Sequence, residues 1–153
     1  DFSSAFNTIV PCILIDKLEK LGVPYYLLSF IKAFLTDRQQ FVRLGKTQSN
    51  TLNCDIGCPQ GCVLSPILFS IYTNFIQSEH ENIKIFKYAD DMAIVGLLDF
   101  KTDSNFYFDV IEGFLDKCQS VNLLINATKT KGMVVSFSRT FAIYLLTEDQ
   151  LRR

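Results

Sequence analysis

The chain has 153 residues, 48% of them hydrophobic and 13% aromatic, with 14 Phe and no Trp. That is apolar material for one domain with its own core, and it excludes a disordered or low-complexity chain. The formal net charge is −1, which excludes a protein that holds nucleic acid through its overall charge, since phosphate binders usually carry a basic excess.

Phe2 to Asn7 follows Asp1 at once, and because a domain rarely begins on a motif the chain reads as part of a longer one. Pro11 can open a helix, with Leu14, Ile15, Leu18 and Leu21 on one face and Gly22 as its stop. Pro24 opens a second helix whose inner face is Leu27, Leu28, Ile31, Phe34 and Leu35. Gln40 to Leu44 and Thr51 to Ile56 read as short strands joined by a polar loop. The Gly/Pro-rich stretch Gly57-Cys58-Pro59-Gln60-Gly61 follows. Helical periodicity resumes from Leu64 to about Gln77, with Ser65 as N-cap and Pro66 in the first turn. Ile83 to Phe86 and Met92 to Leu98 then flank Tyr88-Ala89-Asp90-Asp91, which predicts a β-hairpin with acid at its tip. A helix from about Asp103 to Val121, a loop or short strand over Asn122 to Thr130, and a strand from Met133 to Phe137 complete the pattern. Helices interspersed with hairpins argue α+β with an antiparallel sheet, the acidic hairpin packed on helices. Residues 138–153 are a tail of unclear role.

Five cysteines, an odd number, in a chain without a secretory signal are read as thiols of a reducing compartment. Cys54, Cys58 and Cys62 recur every four residues, yet a zinc site needs a second ligand pair and His80 is the sole histidine. A cysteine-based metal module is therefore a minor alternative. The apolar stretches are too short to span a bilayer, so no membrane segment is expected.

Three separated elements can converge on one chemistry. Adjacent Asp90 and Asp91 repel each other, and a bound divalent cation removes that penalty. A distant carboxylate such as Asp1 then completes the minimum for two metals about 3.5–4 Å apart. The loop 57–61 before a helix offers backbone N–H groups to phosphate. Lys129 can add positive charge or a proton.

DFSSAFNTI, GCPQGCVLSPILFSIYTN, KYADDMAIVG and NATKTKGMVVSF resemble, in order, motifs A to D of the reverse transcriptases of non-LTR (LINE-type) retrotransposons. The resemblance covers residues 1–137 and implies a polymerase palm, without fingers or thumb, that uses two Mg²⁺ ions (Mn²⁺ is possible). RNA template, DNA primer and dNTPs are the implied partners. Asp1, Asp90 and Asp91 would be the metal ligands, and Lys129 the motif D lysine beside pyrophosphate. Phe6 would gate the sugar 2′-position, although core packing is its plainer reading. Gln60 and Gly61 would contact nucleotide and template, with Pro59 setting the turn, and Tyr88 would pack beside the site. Two positions depart from the family pattern: Phe75, often Asp, reads as added core, and Met92, often Thr, follows the acidic pair. The resemblance places the parent protein inside the cell, in nucleus and cytoplasm. Little or no polymerisation is expected from these 153 residues alone. A decayed or domesticated remnant acting as a binding module is the alternative.

Overall fold

The computed structural model describes residues 1–78, 80–97, 104–133 and 135. A single 3₁₀ turn, Ala5–Asn7, precedes helices α1 (Pro11–Lys20) and α2 (Tyr25–Leu35). Pro11 lies in the first turn of α1, where its missing N–H costs nothing, and Gly22 follows α1 at φ 77°, as a helix stop requires. Leu14 and Leu18 of α1 are buried, as are Leu28 and Leu35 of α2. Leu27, expected inside, is 40% exposed, because the apolar surface of α2 is wider than the face that α1 covers.

Strands β1 (Arg38–Gln40), β2 (Arg43–Leu44), β3 (Thr47–Gln48) and β4 (Leu52–Cys54) follow. β1 pairs with β4 and β2 with β3, all antiparallel, so the expected pair of strands is an extended ribbon interrupted at residues 41–42 and 49–51. Helix α3 runs over Leu64–Tyr72, shorter at its C-terminal end than the periodicity suggested. Its N-cap is Val63, not Ser65. Ser65 lies inside the first turn because its hydroxyl is used elsewhere, donating to the Pro59 carbonyl.

Strands β5 (Ile83–Tyr88) and β6 (Asp91–Gly96) form the acidic hairpin, and α4 (Ser104–Ser120) follows. Among the described residues the sheets are all two-stranded, with one further antiparallel bridge, Phe2 to Ile125. The whole is mixed helix and antiparallel strand, an α+β fold. Within the expected strand 133–137 only Met133 and Val135 are described, both exposed, and residues 138–153 lie outside the described residues.

The core gathers around α3. Phe69 and Tyr72 are fully buried and pack with Phe2, Ile9, Leu14 and Leu123. The Tyr72 hydroxyl donates to the Val121 carbonyl and accepts from the Val10 backbone N–H at 3.3 Å. One phenol thus joins the chain entering α1 to the chain leaving α4. Burial is the main cause that raises its pKa.

Among the described residues no helix is long and apolar enough to cross a membrane.

Candidate active site

The loop before α3 is bound directly to the turn after Asp1. Gly57 N–H donates to the Ile9 carbonyl and Cys58 N–H to the Phe6 carbonyl, each at 2.7 Å. Gly57 has φ 83°, and a Cβ there would lie 2.8 Å from Asn7 Cα, so both conformation and closeness require glycine. Arg38 holds the loop from its other side, donating to the carbonyls of Leu35, Ile56 and Gly57. Half-buried Pro59 leads to exposed Gln60 and Gly61, the latter at φ 80°. The Gln60 amide donates to the Asn7 side-chain oxygen at 3.3 Å. The Phe6 ring is partly buried and tilted against Phe69 with centroids 5.1 Å apart. Core packing therefore holds this ring, as its plainer reading had it.

Asp1 and Lys129 form a second group. The Asp1 carbonyl accepts from Asn126 N–H at 3.0 Å, and Ser3 N–H donates to Leu124 at 2.7 Å. The Asn126 side-chain oxygen accepts from Thr128 Oγ1 and from Lys129 N–H, a local turn that presents the lysine. Lys129 Nζ lies 3.7 Å from an Asp1 carboxylate oxygen, with the lysine side chain 68% exposed. An ion pair this open contributes about 0–1 kcal/mol, so it leaves both groups available.

Asp90 and Asp91 form the third. Tyr88 pairs with Asp91 across a two-residue turn of Ala89 and Asp90, with Ala89 at φ 53°. Asp90 is half-buried and Asp91 exposed, and no hydrogen bond or ion pair among the described residues engages either carboxylate. Tyr88 is 84% exposed, so its support to the hairpin is the cross-strand pair with Asp91 and not burial.

An isolated two-stranded hairpin is marginal in water, and this one is held from behind. Ile83 is buried, and Ile85 and Met92 pack against the core, so Met92 stands on the inner face. Lys87 Nζ donates to the Thr73 carbonyl at 3.0 Å, and burial lowers the pKa of this amine. Lys17 Nζ donates to the Tyr72 carbonyl next door. The two ammonium groups satisfy carbonyls left open at the end of α3 and oppose its negative pole. Lys17 also lies 3.9 Å above the centre of the Phe75 ring, and burial lowers its pKa to about 8. Phe75 is thus both added core and a platform for a cation. At the far end of the hairpin Gly96 faces Tyr107 of α4, where a Cβ would meet the ring at 2.7 Å.

The structure therefore brings Gln60 to the Phe6–Asn7 turn and Asp1 to Lys129, while Asp90 and Asp91 share a hairpin tip. The carboxylates are hard oxygen donors, the kind that Mg²⁺ and Mn²⁺ take. Among the described residues no three His, Cys, Asp or Glu side chains stand together as a metal-holding group. Sequence reasoning overlooked Asn7, Arg38, Lys87 and Asn126. Asn7 was within reach because it belongs to the first motif, whereas nothing in the sequence marks a lone Arg38 as the clasp of a loop.

The sequence matches the family profile described as reverse transcriptase (RNA-dependent DNA polymerase) over residues 1–149. The chain belongs to the reverse transcriptase family. It is a reverse transcriptase region of the non-LTR retrotransposon type, and the match runs past Phe137 into residues outside the described structure. It is 32% identical over 103 residues to a probable RNA-directed DNA polymerase from transposon BS of Drosophila melanogaster, covering 62% of this chain and 11% of that protein. It is 28% identical over 140 residues to the RNA-directed DNA polymerase from mobile element jockey of the same fly, covering 84% of this chain and 15% of that protein. The jockey polymerase of Drosophila funebris is 27% identical over 150 residues, 94% of this chain and 16% of that protein. The chain thus spans between a tenth and a sixth of the length of these relatives.

Proposed function

We propose that this chain is the catalytic palm of an RNA-directed DNA polymerase that extends a DNA primer on an RNA template. The observation that carries the reading is the adjacent carboxylate pair at the tip of the β5–β6 hairpin, in a chain of this family. Asp90, Asp91 and Asp1 would hold the metal ions, Mg²⁺ or Mn²⁺. When bound, such ions lower the pKa of an attacking hydroxyl and neutralise the charge of triphosphate and pyrophosphate.

The chain's own residues supply the rest. Lys129 brings an exposed ammonium to the Asp1 carboxylate, where it balances charge before nucleotide arrives and can give a proton to leaving pyrophosphate. Gln60 and Gly61 meet nucleotide and template from a loop whose base is fixed by Gly57, Cys58 and Arg38. Phe6, wedged on Phe69, is held in one place, as a gate against a sugar 2′-hydroxyl must be. On the family resemblance alone, we propose nucleus and cytoplasm as the location of the parent protein.

The test is primer extension on an RNA template with Mg²⁺ and dNTPs. It is run with the 153-residue chain and with the same segment set into a jockey-type polymerase, each beside its Asp90→Asn variant. Wherever synthesis occurs, Asp90→Asn lowers it by at least about 100-fold. Synthesis that survives the substitution contradicts the assignment.

A further inference from the structure

A groove of about 390 Å³ lies between β5, the segment 76–80 and helix α4. That size is within the roughly 300–1,000 Å³ of small-ligand sites. Ile76, Ile85, Val110 and Phe114 form its apolar walls. At one end the His80 ring meets Phe106 edge-on, with centroids 4.6 Å apart. Among the described residues the hydrogen bonds of His80 are made by its backbone, which leaves both ring nitrogens to a ligand. A second cavity of about 300 Å³ adjoins the first along Ile76, Gln77, Ser78, His80 and Ile85.

One residue keeps the groove open. Gly113 stands in the interior of α4 and lines the groove, although glycine weakens a helix at such a position. At Gly96 the Tyr107 ring leaves no room for a side chain, whereas a Cβ at Gly113 would find nothing within 4 Å. Close packing therefore does not demand this glycine, and its effect is the space it leaves.

The charge around that space has one predominant sign. Lys84, Lys87 and Lys117 line the two cavities against a single carboxylate, Asp109. In a chain of net charge −1 this is a local positive excess. From these features we propose that the groove is a binding site for a small organic monoanion with an aromatic body. The ring system rests on the apolar walls and meets the His80–Phe106 pair, as aromatic rings favour. The anionic group turns to the His80 end, where the cavity of Lys84 and Lys87 adjoins, and Asp109 opposes a second negative charge. Neither Asp90 nor Asp91 lines either cavity, so the proposal stands apart from the polymerase reading.

The experiment titrates the folded 153-residue chain with anilinonaphthalene sulfonate, a dye whose fluorescence rises in apolar surroundings. Phenylnaphthylamine, the same ring system without the sulfonate, is the neutral comparison. The expected result is one saturable site that binds the sulfonate at least about threefold more tightly than the neutral dye. Gly113→Leu fills the groove and weakens both dyes at least about tenfold. Leucine is the better helix former, so this variant should melt no lower than the wild type. If it does melt lower, Gly113→Met is read in its place. Replacing Lys84 and Lys117 together by Met weakens the sulfonate and leaves the neutral dye unchanged. Sulfonate binding that survives filling at position 113 overturns the site. Equal affinity for the two dyes, or full sulfonate binding by the lysine double variant, overturns the anionic class of ligand.

Discussion

Two regions of the molecule carry the candidate chemistry, and they are built in opposite ways. The seam between the first turn and the loop before α3 is a set of close backbone contacts, with Gly57 pressed on Asn7 and Cys58 bonded to Phe6. The β5–β6 hairpin has only its inner face attached, through Ile83, Ile85, Met92 and the Lys87 ammonium. Its outer face leaves Phe86, Tyr88 and Val95 more than half exposed, with the acid pair at the tip. The loop is set by backbone contact, while the carboxylate pair, Asp90 half-buried and Asp91 exposed, has no ion-pair partner among the described residues. The cost of holding Asp90 and Asp91 side by side is thereby kept small, because their charges remain solvated.

That contrast can be broken most forcefully at the seam. Gly57→Ala places a methyl inside van der Waals contact of Asn7 Cα at a positive φ, and it is expected to destabilise the fold by about 2–4 kcal/mol. Chemical denaturation measures this, and a loss below about 1 kcal/mol would show that the seam yields. Tyr72→Phe strands the Val10 N–H and the Val121 carbonyl, at a cost of about 1–3 kcal/mol by the same assay.

Lys17 gives a smaller effect with a distinctive pH signature. Its pKa is about 8 in the fold, below its value of 10.5 in the unfolded chain. Below about 8 both states hold the proton and the burial cost of the ammonium is present in full. Between about 8 and 10.5 the unfolded chain holds the proton more firmly, so this group's contribution to stability rises with pH. The Phe75 ring beneath the ammonium favours the charged form and blunts the rise. The stability of the wild type relative to Lys17→Met should therefore increase from pH 7 to pH 10. A flat difference would place the amine in water. The smallest change is at the hairpin, where Ala89→Gly relieves a φ of 53° and should stabilise the protein by up to about 1 kcal/mol.

How far these regions were legible in the sequence follows the same division. The hairpin was readable because alternation, β-branched residues and an acidic turn are local signals, and the helices were readable because Pro11, Pro24 and Gly22 mark their ends. Ser65 misled because its position after a loop looks like a cap, whereas its hydroxyl had a tertiary partner in Pro59 that no local rule contains. The interruption of the β1–β4 ribbon and the exposure of Leu27 were likewise decided by what packs where. Of the site, the residue types were legible through their motifs. The Lys129–Asp1 approach, the Gln60–Asn7 bond and the two lysines at the end of α3 were not, because each joins residues far apart in the chain.

The most direct measurement is divalent-metal binding, with Mn²⁺ as the probe and water proton relaxation as the signal, on the folded chain with dNTP present. The account predicts Mn²⁺ binding above that of dNTP alone, weakened at least about tenfold in Asp90→Asn, a loss of about 1.4 kcal/mol or more, with circular dichroism unchanged. Binding equal in wild type and variant would contradict the assignment of Asp90 as a metal ligand, and with it the reading of the hairpin tip as the catalytic centre.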